Sequence, residues 1–120
     1  MVNLYRKWDA NGVVVERNYG GDMCRFTIHA VDPRIPVKVI TASKSKHVRA
    51  EPVSVLYEKR KVIHVGYFNE LEEQLTNFSS VGYEGDKSPD RADALIWAVT
   101  DLMVKDMVPI VATGRYEVRA

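Results

Sequence analysis

Three carboxylates stand where their type and spacing suit chemistry: Glu16, Asp90 and Asp93. Glu16 follows Val13-Val14-Val15, a β-branched run that reads as a strand buried on both faces. After Glu16 comes Tyr19-Gly20-Gly21-Asp22, a glycine turn into a helix, and open α/β sheets place their sites at such strand ends. Asp90 and Asp93 are three apart in the first turns of a helix opened by Ser88-Pro89, so they share a face. If that helix packs over the end of the strand, Glu16 and an aspartate converge. Their hard carboxylate oxygens suit Mg²⁺ or Mn²⁺. Two such ions about 3.5–4 Å apart activate a water and stabilise the leaving oxygen in phosphodiester hydrolysis. A second account stays open beside this one. Acids at a helix N-terminus complement its dipole, and a Glu after a strand often serves as a salt-bridge partner.

Lys44, Lys46, His47 and Arg49 form a basic stretch behind a second strand. It reads equally as a phosphate-contacting segment or as a solvated loop. Lys59-Arg60-Lys61 suits the cationic end of a helix. His29, His47 and His64 share no metal-ligand spacing with one another or with Cys24, which argues against zinc. Cys24, near a helix start, reads as a small packed residue.

The elements that must position these groups follow from periodicity. Leu4, Tyr5 and Trp8 predict a helix over 2–10, ended by Asn11-Gly12. A helix is predicted over 23–31, with Asp22 as its cap and Asp32-Pro33 closing it, and a strand over 37–40. Glu51-Pro52 reads as the start of a helix whose inner face is Val53, Leu56 and Tyr57. Val62 to Val65 reads as a short strand, Phe68, Leu71, Leu75 and Phe78 as a helical repeat, and 78–87 as a loop. Ser88 then caps a last helix with Ala92, Leu95, Ile96, Val99, Leu102 and Met103 as its stripe. Trp8 and Trp97 fall in these patterns as core residues, and the pattern after Val108-Pro109 is weak.

Composition excludes several classes. A chain of 120 residues, 46% hydrophobic, supports one core, so residues 1–120 are expected to form a single α/β domain. With 17 Lys+Arg against 16 Asp+Glu, no overall polycation holds nucleic acid, and such a site must come from local clustering. One cysteine excludes an internal disulfide framework and fits a reducing compartment. No apolar run approaches the roughly 20 residues of a membrane helix. No Gly-rich loop ending in Lys-Ser/Thr is present, so an ATPase motor is not expected within these residues.

Four segments then carry a resemblance. Glu16-Arg17-Asn18-Tyr19-Gly20-Gly21-Asp22-Met23, Ala42-Ser43-Lys44-Ser45-Lys46 with Arg49-Ala50-Glu51-Pro52, Leu71-Glu72-Glu73-Gln74 and Ser88-Pro89-Asp90-Arg91-Ala92-Asp93-Ala94-Leu95 occur in this order. Together, from about Trp8 to Leu102, they resemble the C-terminal nuclease domain of phage large terminase subunits. The resemblance implies an RNase H-like fold, a mixed sheet with flanking helices, and cleavage of double-stranded DNA during genome packaging with two Mg²⁺ or Mn²⁺ ions. It implies Glu16 as the second acidic ligand, with Asp93 and its neighbour Asp90 from the closing helix. It also implies the terminase small subunit and the portal protein as partners, and the bacterial host cytoplasm as the location.

One departure shapes the expectation. The family pattern has an Asp-bearing strand and two more strands ahead of the segment that begins here. The acid upstream of Glu16 is Asp9, at a helix end, so the first ligand is not carried over. The expected fold is therefore RNase H-like and truncated at its N-terminal side. The Val13–Val15 strand would then keep an open edge, which invites pairing with a second copy. Two functions follow: a nuclease fragment, or a catalytically silent module that self-associates or binds DNA or protein.

Overall fold

A computed structural model of the chain describes residues 1–17, 21–42, 44–79 and 82–104. These fall into two compact units, one before Lys44 and one from Lys44 onward. The Tyr19-Gly20 part of the glycine turn and the tail after Val108-Pro109 lie outside the described residues.

The first unit is a strand–helix–strand fold preceded by a short helix. Helix α1 (Val2–Lys7) leads to β1 (Val13–Arg17), α2 (Gly21–Val31) and β2 (Val37–Thr41). The two strands pair in parallel, Val13 opposite Val37 through Arg17 opposite Thr41. The helix between them makes that arrangement possible, because parallel neighbours need a long crossover. Val13, Val15, Ile28 and Ile35 form the core, with Val2, Tyr5 and Val37 against it. Burial alternates along β1, so its Val13 and Val15 face is packed while Val14 and Glu16 on the other face are half-buried. The expectation of a strand buried on both faces is corrected here: triple valine is also what a one-sided strand can carry. In α1 the inward residues are Val2 and Tyr5, whereas Leu4 and Trp8 are exposed, so Trp8 is not core. Lys7 instead places its ammonium 5.3 Å from the Trp8 ring. Cys24 is exposed rather than packed.

Both helix ends of this unit are closed by charged residues. Asp9 adopts a left-handed backbone (φ 46°) where α1 stops, and the N–H groups of Asp9 and Ala10 donate back to Arg6 and Tyr5 carbonyls. This is a paired-bond helix closure usually given to glycine, and Asp tolerates it better than most residues. At the end of α2, Asp32 is buried and would oppose the helix dipole. Arg34 offsets this with its backbone N–H at 3.0 Å and its Nε at 3.1 Å from Oδ1, while Arg6 reaches Oδ2 at 3.4 Å. His29 Nε2–H donates to the Ile35 carbonyl at 2.9 Å and fixes the same turn.

The second unit is mostly helical. Helix α3 (Lys46–Glu58), α4 (Asn69–Thr76), a small antiparallel hairpin of β3 (Phe78–Ser79) and β4 (Gly82–Tyr83), and α5 (Asp90–Val99) follow in order. Val53, Ile96 and Val99 form its core, with Ala50, Leu56, Tyr57, Val62, Phe78 and Leu95 around them. Four expectations change. Helix α3 starts at Lys46, not at Pro52, which lies in its interior. Residues 62–65 are not a strand; they belong to the loop between α3 and α4. Phe78 and the segment after it carry the hairpin, so the α4 repeat ends before Phe78. Last, α5 continues into a π-helical turn, Thr100–Val104. One extra residue in that turn moves the buried stripe onto Asp101 and Val104 and leaves Leu102 and Met103 exposed.

Two outcomes follow from the charged closures. Arg34, by side-chain and backbone hydrogen bonds, holds the Asp32 carboxyl down from 3.8 to about 2. A group ionised more readily in the folded chain stabilises it above its unfolded value and loses that effect as pH falls through the folded one. Urea melts should show Asp32→Asn less stable than wild type at neutral pH, with the gap closing between pH 3.8 and about 2. A pH-independent gap would contradict the assignment. In the second unit, Arg60 sits left-handed (φ 58°) just beyond α3, with Arg60 and Lys61 N–H groups on Tyr57 and Leu56 carbonyls. Arg60→Gly should raise the unfolding free energy by about 0.5–1 kcal/mol, read as a higher urea midpoint with an unchanged slope.

Candidate functional site

Glu16 belongs to the first unit, one residue from the carboxyl end of β1, on the face opposite the packed valines. Its partner across the parallel register is Ile40. The strand fixes its position through the backbone, and the valines beside it lock the pleat. Arg17, the next residue, points its guanidinium to within 3.6 Å of Asp22 in the first turn of α2. Both side chains are exposed, so this pair contributes little. Asp22 lies inside the helix rather than at its cap.

Asp90 and Asp93 belong to the second unit and face differently despite their spacing. Asp90, the first residue of α5, is exposed and accepts a 2.6 Å hydrogen bond from the Ser88 hydroxyl. Ser88 therefore binds a neighbouring carboxylate, and Pro89 takes the cap position expected of Ser88. Asp93 turns toward α3, with its side chain 14% exposed. Its Oδ1 accepts from Arg49 at 3.3 Å, and its Oδ2 lies 3.4 Å from the Lys46 ammonium.

This is a built cluster. Lys46 and Arg49 are three apart on α3, and Asp93 and Trp97 are four apart on α5, so each helix presents a matched pair. The Arg49 guanidinium lies 4.4 Å from the Trp97 ring centroid, stacked on its face while bonding Asp93 end-on. A planar guanidinium can do both at once; a lysine ammonium cannot. The first turn of α3 has no acid of its own, and Asp93 brings a negative charge beside that positive helix end.

The start of α5 is satisfied from α4. The Gln74 side-chain oxygen accepts the Ala92 N–H at 3.0 Å, one of the amides a helix start leaves without an internal partner. Sequence spacing did not reveal this role, because the cap comes from a different helix. Glu72, in the same segment, accepts from His64 at 3.0 Å. The segments Arg49-Ala50-Glu51-Pro52, Leu71-Glu72-Glu73-Gln74 and Ser88 to Leu95 thus interlock through polar contacts within one unit.

The donor chemistry of these acids fits a divalent ion. Lys46 already stands as a cation on Asp93 Oδ2, and at 43% exposed it can swing to solvent, whereas Arg49 at 9% exposed cannot. Among the described residues, no group of three or more His, Cys, Asp or Glu side chains converges. Lys44 is exposed, while Lys46 and Arg49 have Asp93 as a partner. No helix among the described residues is long and apolar enough to cross a membrane.

If Lys46 competes with a metal for Asp93, removing it should strengthen metal binding. The loss of one charge about 4 Å away at a half-exposed position corresponds to about 1 kcal/mol, roughly fivefold. Mn²⁺ titration followed by electron paramagnetic resonance should show Lys46→Met about fivefold tighter than wild type, and Asp93→Asn much weaker than both. Equal affinity for all three would remove Asp93 from the ligand set.

No curated protein and no solved structure matches the chain. The family model described as the terminase RNaseH-like domain matches residues 1–102. That span contains both units' described elements up to the π-helical turn, with Glu16, Asp90, Asp93 and the interlocked segments inside it. The chain belongs to the terminase RNaseH-like domain family.

Proposed function

We propose that these residues form the later part of a terminase nuclease domain with an RNase H-like fold. Its chemistry would be two-metal hydrolysis of double-stranded DNA during genome packaging. The observation that carries the reading is the family match over residues 1–102, a span that contains Glu16, Asp90 and Asp93. Glu16, Asp93 and Asp90 are the residues that would hold Mg²⁺ or Mn²⁺, and the ions would supply an activated water and a stabilised leaving oxygen. The chain's own residues set the terms of that role. Glu16 is fixed by a packed strand, and Asp93 is fixed by Arg49 and released at Oδ2 only when Lys46 lets go. Lys46, once released, and Lys44 are the cations available to phosphates. The terminase small subunit and the portal protein are the partners this reading proposes, in the bacterial host cytoplasm.

Asp9, the acid upstream of Glu16, closes α1 through its backbone. A second reading, a catalytically silent module that self-associates or binds DNA or protein, draws on the sheet. Among the described residues β1 pairs with β2 alone, and this reading has a strand from a second copy pair with its other edge.

Plasmid nicking with Mn²⁺ separates the two. The nuclease reading predicts conversion of supercoiled to nicked DNA by the wild-type chain, and at least about a hundredfold loss in Glu16→Ala, the range seen when a transition-state charge stabiliser is removed. Equal cutting by both would sink the site. No cutting, together with concentration-dependent sedimentation as a dimer, would favour the silent module.

A further inference from the structure

The loop between α3 and α4 is held rigidly in a form that exposes apolar residues. At its middle, the Tyr57 hydroxyl is hydrogen-bonded to His64 Nε2 at 2.7 Å, and His64 Nδ1–H donates to Glu72 Oε1 at 3.0 Å. The rings of Tyr57 and Phe68 flank the imidazole edge-on, with centroids at 5.5 and 5.8 Å. His64 thus ties the loop to the last turn of α3 and the first turn of α4.

Two residues later the chain turns at Gly66, whose φ of 103° disfavours a side chain although nothing lies within 4 Å of where a Cβ would be. The glycine is there for the backbone, not for space. As a result Ile63, Val65 and Tyr67 stand 74%, 90% and 94% exposed. A slack loop would lay such side chains against the core; this one is pinned with them outward.

Within the loop itself the charge has one sign. From Lys59 to Asn69 the sequence carries Lys59, Arg60 and Lys61 and no acid. The acids that follow are engaged, Glu70 by Arg91 at 2.7 Å and Glu72 by His64. Outward cations together with an outward ring match a ligand of phosphates and accessible π-faces. In an intact duplex the bases are stacked inside, so Tyr67 would find no base face to cover. We propose that the loop formed by residues 61–68, with Lys59 and Arg60 at its foot, binds a DNA strand with unpaired bases. Tyr67 stacks on a base, Ile63 and Val65 flank it, and Lys59, Arg60 and Lys61 hold the phosphates. The choice of DNA rests on the nuclease reading; the surface itself does not involve Glu16 or Asp93.

The test is fluorescence anisotropy of an end-labelled oligothymidylate with the full chain in EDTA, so that metal plays no part. Wild type should bind the single strand more tightly than a duplex of the same length. Tyr67→Ala, at an exposed position that leaves the fold intact, should weaken single-strand binding about tenfold. Lys59→Ala and Lys61→Ala should each lower the slope of log affinity against log salt by about 0.7. Gly66→Ala should weaken binding through the backbone alone, with an unchanged circular dichroism spectrum. Unchanged affinity in Tyr67→Ala would overturn the proposal. So would Tyr67-dependent binding to phosphatidylglycerol vesicles without binding to the strand. Plasmid nicking distinguishes the two claims: Tyr67 insensitivity with Glu16-dependent nicking overturns the loop alone, and strand binding without nicking overturns the nuclease reading alone.

Discussion

The second unit turns on one contact between helices, the Arg49 guanidinium held between the Asp93 carboxylate and the Trp97 ring. Both charges are largely out of water, so neither is tolerated without the other. The pair sets which faces of α3 and α5 meet, and the apolar contacts of Val53, Ile96 and Val99 follow from that alignment. Gln74 caps α5 from α4 and adds the third helix to the same assembly. The polar contacts therefore specify the packing, while the aliphatic side chains supply most of its driving force.

This contact bears on the proposed function because Asp93 is one of the acids that reading assigns to metal. A carboxylate that ligates metal needs a fixed position and an accessible oxygen. Arg49 supplies the first by holding Oδ1 from the buried side. Lys46 occupies Oδ2 from the solvent side and is the more easily displaced. Under the proposed reading, such an arrangement would keep the charge compensated without an ion, at the expense of affinity for one. Glu16 is held by a different device, a strand pinned through alternate valines, so the two acids depend on two separate cores.

Much of this was legible in the sequence. The β-branched run before Glu16, the strand at Val37 and the helices around Ile28, Leu71 and Ile96 all followed from apolar spacing. The failures have a common cause, residues whose burial is not announced by hydrophobicity. The first turn of α3 was hidden because its inward position is Arg49, whose stem and stacked plane do the packing. Val62 to Val65 imitated a strand because Ile63 and Val65 alternate with His64, yet there it is the histidine that is tucked in. The π-helical turn moved the end of the α5 stripe by one residue, which no regular period foresees. Of the candidate site, the elements that carry Glu16, Asp90 and Asp93 were readable and the surroundings of the acids were not: Lys46 and Arg49 read as cations for phosphate, and the structure pairs both with Asp93.

The most direct measurement is a double-mutant cycle on Arg49 and Asp93, read by urea unfolding in EDTA with Arg49→Met, Asp93→Asn and the double variant. The account predicts that each single change costs about 3 kcal/mol and that the double change costs little more than either, a coupling of roughly 2 kcal/mol or above. Additive losses, with coupling below about 0.5 kcal/mol, would contradict it, because two residues that do not depend on each other cannot be what aligns α3 with α5.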